Sequence, residues 1–314
     1  MSRAISSRPM AWAGALSVAL ALTACGTGSD GAAAQPESTT IAGATVTRDH
    51  ALHDGLPASI KSAGAVRVAT DVPYPPFEMF DGADSQRITG LDYDLGQALA
   101  TKLGVRFDFT ATKFDSIVPS VQAGKFDVVM SAMTDTKDRQ QVLDFVDYSA
   151  SGSGILVAKG NPEHIATLTD LCGRAVAVQS GTKQAKLLQD QSPCKQAGKP
   201  EPQLLVFPKD ADAQLAIKSG KAVADFMDQP AAGYLAATAE NGAEFEVVAD
   251  PAYPNGVDAT PNGIGVAKNQ KGLADSIQRA LQALMDDGSY HKILDHYGQR
   301  GIAIMKATIN AAVN

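Results

Sequence analysis

The chain has 314 residues, 45% of them hydrophobic and 19% charged, the profile of a soluble globular protein with room for two domain-sized units. A formal net charge of -7 excludes a general nucleic-acid binder, which needs a basic face to neutralise phosphates. After the first segment no apolar run is long enough to cross a bilayer, which excludes a channel.

Arg3 and Arg8 precede an apolar run from Met10 to Leu22 that is short for a membrane span. The run ends at Leu22-Thr23-Ala24-Cys25, which resembles the bacterial lipobox, where a signal peptidase cuts before the cysteine and the cysteine carries the lipid. Residues 1–24 are therefore expected to be a lipoprotein signal peptide and Cys25 the lipidated first residue of the mature chain. An ordinary secretory signal with a chance cysteine is the alternative, and both imply export. From Gly26 to about Thr47 the residues are small and polar, so the reading is a flexible stalk over 25–59. Cys172 and Cys194 are the other cysteines, and in an oxidising compartment such a pair is expected to form a disulfide rather than a metal site.

Strand and helix signals then alternate, which favours an α/β architecture. Ala65 to Ala69 reads as a strand. Leu95, Ala98, Leu99 and Leu103 recur at helical spacing before Gly104, giving a helix over Asp92 to Leu103. Val105 to Phe109 alternates like a strand. Phe114, Ile117, Val118 and Val121 form one helical stripe, and Phe126 to Met130 is the next strand. Parallel β-α-β connections leave a crevice at the strand carboxyl ends, beside Asp71, Phe114 and Ser131. A second block repeats the grammar: strand Ala175 to Val178, a helix from Lys183, strand Leu204 to Phe207, a helix ending at Gly220, strand Phe226 to Met227, a helix opened by Pro230, and strand Phe245 to Val248. Strand Ile264 to Ala267, a helix bearing Leu273, Ile277, Leu281 and Leu284, and a last helix at Tyr290 to Tyr297 look like a return to the first unit.

Val66-Arg67-Val68-Ala69-Thr70-Asp71 with Tyr74-Pro75-Pro76-Phe77-Glu78 resembles the opening of the family 3 bacterial solute-binding proteins that serve amino-acid ABC importers. Gly90 to Leu95, Gly124 to Asp127, Ser131 to Thr134, Thr136 to Arg139, Gln179 to Thr182, Asp225 to Asp228 and Asp287 to Tyr290 resemble further signatures of that family in the same order. The resemblance implies a two-lobe periplasmic-binding-protein-like α/β fold of type II, each lobe a small mixed sheet flanked by helices. Its parts would be a first lobe over 60–152, a second over 153–257, a return over 258–306 and a tail over 307–314. Two hinge crossings would lie near Ser151 to Gly154 and Pro254 to Pro261, both rich in Gly, Ser and Pro.

An amino acid carries a carboxylate and an ammonium on one carbon, and burying both is costly unless each meets an opposite charge. The family pattern gives Arg139 the carboxylate, which its planar fork can pair bidentately. Gly181, Thr182 and Lys183 open a helix whose free N–H groups suit the same carboxylate. Asp228 either caps the helix after it or accepts the ligand ammonium, the role the resemblance favours. Ser131, Ala132 and Thr134 complete the first-lobe wall, while Asp71, Tyr74 and Phe114 are placed over the variable side chain, a set that leans to a polar or basic ligand. Lys183, Asp135 and Ala132 depart from the usual pattern, Lys183 standing where many relatives have a small hydroxyl residue.

The resemblance thus implies a monomeric binding component without cofactor or metal, whose partners are a small amino acid, an ABC permease and the membrane through its lipid alone. Dehydratase-like enzymes share the fold, but the histidines fall outside the predicted cleft loops, so no catalytic residue is assigned. A solute sensor acting on a separate partner is the remaining alternative.

Overall fold

The computed structural model describes residues 36–312, apart from 83 and 191. The expected leader and Cys25 lie outside the described residues.

The segment expected to be a stalk is folded where it is described. β1 (Ser38–Ile41) and β2 (Ala44–Thr47) form an antiparallel hairpin. α1 (His50–Asp54) and α2 (Ala58–Ala63) follow, the first capped by Asp49. Composition misleads here because a hairpin needs few inward residues: Ile41, Ala44 and Val46 are buried in the main core, joined by Leu56 and Ile60. Period-2 alternation, not the scarcity of large apolar residues, was the informative signal.

β3 (Ala65–Thr70) begins the main sheet, followed by a small hairpin of β4 (Met79–Phe80) and β5 (Ile88–Thr89). α3 (Leu91–Leu103), β6 (Arg106–Ala111), α4 (Phe114–Gln122) and β7 (Val128–Val129) come next. β3 pairs in parallel with β6 on one side and β7 on the other, as β-α-β crossovers require. β7 is shorter than the expected 126–130 strand. Asp127, just before it, receives Arg67 N–H at 2.8 Å and the Arg67 guanidinium at 2.7 and 3.0 Å. α5 (Lys137–Gln140) leads into β8 (Leu143–Ala158), one long strand that runs through the Gly- and Ser-rich stretch expected to be a hinge crossing.

In the second half β9 (Ala175–Gln179), α6 (Lys183–Asp190), α7 (Pro193–Gln196) and β10 (Gln203–Phe207) are followed by α8 (Asp210–Lys218), β11 (Ala224–Asp228), α9 (Gln229–Thr238) and β12 (Phe245–Val247). A disulfide joins Cys172 to Cys194. β13 (Val257–Ala267), α10 (Leu273–Asp286), α11 (Ser289–His296) and β14 (Ala303–Ile309) complete the chain. The expected tail over 307–314 is thus partly a strand. β14 pairs with β8 at Ser149, Asp147 and Val146, and Ala307 is buried. Its alternating apolar residues are too few to stand out without the partner strand.

The strand order is β10-β9-β11-β8-β13-β7-β3-β6. β8 and β13 run antiparallel along each other from Leu143↔Ala267 to Ser153↔Val257, so they belong to both halves and join them. Among the described residues, the first half packs Leu95, Leu99 and Leu103 of α3 against Ile277, Leu281 and Leu284 of α10. The second has its own cluster around Ile155, Leu171, Val176, Val178 and Phe226. The cleft lies between these halves, where the carboxyl ends of β3, β7, β9 and β11 converge.

Candidate functional site

β3 ends into Asp71 and Tyr74, α4 starts at Phe114, the loop after β7 carries Ser131, Ala132 and Thr134, and α5 carries Arg139. From the opposite half, the β9–α6 turn carries Thr182 and Lys183, and β11 ends on Asp228. All ten side chains line a single cavity of about 20 Å³, so the two faces nearly touch. Gly181 stands just outside its wall, and its carbonyl accepts from Arg139 Nη2 at 3.0 Å.

Arg139 Nη1 also donates to the Thr134 carbonyl at 2.7 Å, and the guanidinium lies 5.7 Å from the Phe114 ring centroid. These two bonds use two of its five N–H groups, which leaves fork capacity for a carboxylate. Burial lowers its pKa to about 10, against the pull of Asp228 and Asp135, so it is a cation at neutral pH. Thr136 caps α5 by accepting from Arg139 N–H at 3.3 Å, which fixes the start of the short helix.

Asp228 occupies the N-cap position of α9 without any side-chain cap bond, so the capping alternative is excluded. Its carboxylate instead accepts from the Tyr74 hydroxyl at 3.1 Å and Gln184 Nε2 at 2.9 Å. Burial pushes it up to about 6, opposed by those hydrogen bonds and by Lys183 and Arg139. Asp71 accepts from Gln179 Nε2 at 2.5 Å, and its own N–H donates to Ser131 Oγ at 2.9 Å. Burial raises its pKa too, against Gln179 and Lys209. Each carboxylate is thus desolvated in a place where a ligand cation would favour its charged form.

The β9–α6 turn is shaped by Gly181, whose φ is 77° and whose added Cβ would stand 2.9 Å from Asp115 Cα. Only glycine permits both that conformation and that approach. Thr182 Oγ1 donates to the Gln179 carbonyl at 2.8 Å and accepts from Ala185 N–H at 3.1 Å, closing the turn onto the helix. Further contacts cross the cleft: Ser180 Oγ to Asp115 Oδ2 at 3.2 Å and Lys209 Nζ to the Val72 carbonyl at 3.1 Å.

The departures from the family pattern separate clearly. Asp135 is buried away from the cavity, where it accepts from Gln140 Nε2 and from Ala312 N–H at 3.0 Å. Lys183 lines the cavity, but its ammonium is held by the Asp258 carboxylate at 2.8 Å, the Asp258 carbonyl at 2.5 Å and Thr260 Oγ1 at 2.9 Å. Ala132, at φ 42°, donates its N–H to Asp92 Oδ2 at 2.8 Å.

Sequence reasoning missed Gln179 and Gln184, which line the same cavity and orient the two carboxylates. Their flanking of the Gly181 turn was the available signal. Glu78 is fully buried and faces Asp92, which accepts from the Tyr148 hydroxyl at 2.9 Å as well as from Ala132. Burial, first of all, and the neighbouring Asp92 carboxyl push Glu78 well above the usual carboxylate range behind the Ala132 wall.

The stretch 66–300 matches the family described as bacterial extracellular solute-binding proteins, family 3. The chain is 30% identical over 237 residues to "ABC transporter arginine-binding protein 1" of Escherichia coli, covering 75% of this chain and 91% of that one. It is 30% identical over 257 residues to "Arginine-binding protein ArgT" of Corynebacterium glutamicum, covering 81% of each. An amino acid ABC transporter substrate-binding protein from Streptococcus pneumoniae, solved bound to L-arginine, superposes with a TM-score of 0.65 at 28% identity, over 76% of this chain and 96% of that one. Matched along most of its length in sequence, and along most of the relatives' length in both sequence and fold, the chain belongs to the bacterial extracellular solute-binding proteins of family 3.

Proposed function

We propose that the protein captures a basic amino acid, L-arginine first among them, between its two halves and delivers it to the permease of an ABC importer. The observation that carries this reading is that Arg139 and Asp228, from opposite halves, line one cavity together with Asp71. A ligand carboxylate would take the Arg139 fork and the N–H groups of the β9–α6 turn, and its α-ammonium would meet Asp228. Tyr74 and Phe114 would flank the aliphatic stem, with Asp71 at the terminal cation. Lys183 being held against Asp258, the wall offers two carboxylates and one guanidinium, the complement of a guest with two positive groups and one negative. The printed names of the arginine-binding relatives support the same choice.

Closure would be coupled to occupancy, because the zwitterion satisfies its charges only when both faces touch it. The Leu22 to Cys25 sequence further supports lipidation of Cys25, which would hold the protein on the outer face of the membrane as a monomer. Isothermal titration with arginine, lysine, histidine, glutamine and glutamate tests the ligand. Saturable heat with the basic amino acids and none with glutamate is expected. Binding of glutamate in preference to arginine would overturn the charge argument.

A further inference from the structure

Lys183 is the first residue of α6, directly after the Thr182 that closes the ligand-facing turn. Its side chain is 11% exposed, and an ammonium has three N–H donors, all of them committed here to Asp258 and Thr260. It has none left for a ligand carboxylate without releasing an existing partner. Those acceptors exist because β13 breaks register against β8 between Val257 and Thr260, with Asp258 at φ 52°. A regular ladder would turn the Asp258 carbonyl toward the neighbouring strand, whereas this bulge turns it to Lys183.

The same bulge belongs to the stretch where the halves are joined. A Cβ on Gly152 would lie 2.3 Å from the Gly256 backbone, so the two connecting segments cross in direct main-chain contact. Relative rotation of the halves must therefore change the backbone angles around 150–154 and 255–262. Lys183 thus links the turn that carries Gly181 and Thr182 to the segment that bends.

We propose that Lys183 is a positioning residue, a clasp that ties the ligand-facing turn to the bulged hinge strand and thereby prolongs ligand residence. This rests on the reading of the cleft as an amino-acid site. A neutral or short side chain at 183 leaves the turn free to swing when the hinge opens, so the clasp acts on release and not on encounter. The carboxylate of Asp258 and the ammonium of Lys183 act as one unit, so their substitutions should not add.

Stopped-flow binding of L-arginine to Lys183→Met, Lys183→Arg, Asp258→Asn and the Lys183→Met/Asp258→Asn double variant provides the test. Lys183→Met should raise koff about tenfold with kon within about twofold of the parent, and Lys183→Arg should recover part of the loss. Asp258→Asn should raise koff less, and the double variant no more than Lys183→Met alone. An unchanged koff in Lys183→Met, an equal fall in kon, or additive effects in the double variant would overturn the clasp. Hydrogen exchange of the amides in 180–185 and 255–262, without ligand, separates this idea from the choice of ligand. Faster exchange of both segments in Lys183→Met supports the clasp even where the parent binds no arginine, and unchanged exchange sinks it.

Discussion

Replacing Arg139 by lysine keeps the charge and removes the fork. In the structure the guanidinium spans the cleft, holding Thr134 through Nη1 at 2.7 Å and Gly181 through Nη2 at 3.0 Å, with Phe114 beneath it. A lysine ammonium can satisfy one of these carbonyls or one carboxylate oxygen, but not a bidentate pair while bridging both faces. A hydrogen bond involving a charged group contributes roughly 1.5–3 kcal/mol, so forfeiting two of them weakens arginine binding by about 3–6 kcal/mol. That is on the order of a hundred- to ten-thousand-fold in Kd. Titration calorimetry measures the loss directly, and a thermal melt without ligand checks that the half-buried site has not unfolded. A weakening below about tenfold, with an unaltered melt, would refute the assignment of Arg139 to the carboxylate.

The pH dependences of affinity and stability should have opposite signs. Asp228 must be ionised to hold an ammonium and its pKa is pushed up to about 6, so arginine affinity at pH 5 should be about tenfold below its plateau above pH 7; a flat profile by calorimetry would remove Asp228 from the ammonium site. Asp147, raised to about 6, and Asp210, raised to about 7, both by burial, bind protons more tightly folded than unfolded. Their stabilisation is therefore present below their unfolded pKa and is lost as pH rises through 6 to 7, so the ligand-free melting temperature should fall between pH 5 and pH 8. Asp92→Ala leaves the Ala132 N–H and Tyr148 hydroxyl without their acceptor and should cost roughly 2–6 kcal/mol in denaturant unfolding, whereas Asp92→Asn, which keeps an acceptor oxygen, should cost far less. Cys25→Ser should move the protein from the membrane to the soluble fraction of cells, and unchanged fractionation would exclude the lipid anchor.

The elements with strong internal periodicity were legible one by one. The α3 stripe of Leu95, Leu99 and Leu103 and the α10 stripe of Leu273, Ile277, Leu281 and Leu284 predict their helices within a residue or two. Elements stabilised mainly by a distant partner were not. β8 passes through Ser149 to Gly154 as a strand because β13 and β11 supply its hydrogen bonds from far along the chain. The hairpin at 38–47 and β14 are short for the same reason, each burying only a few residues against α3, α10 or β8. Candidate site residues gathered well because the chain places them at strand ends and helix starts, where local motifs recur. What the sequence could not show was commitment: Lys183 reads as a cation in the cleft until Asp258 and Thr260 are seen to hold it.

That distinction bears on how an acidic interior can select a cation without repelling the carboxylate it also needs. Glu78 and Asp92 lie behind the first-half wall, and Asp210 and Asp225 beneath Asp228, all four fully or almost fully buried. Were every one ionised, the Arg139 charge would be overwhelmed and the ligand carboxylate driven out. Burial opposes it: Glu78 and Asp225 are both pushed well above the usual carboxylate range, by desolvation first and then by the neighbouring carboxyls of Asp92 and Asp210. Each retained proton removes one negative charge from its buried pair, so the acidic interior presents less charge behind the wall than its number of carboxyls implies, while Asp71 and Asp228 open onto the cavity. The groups that meet a guest directly are then Asp71, Asp228 and Arg139, and the proposed basic zwitterion would carry the charges that complement them.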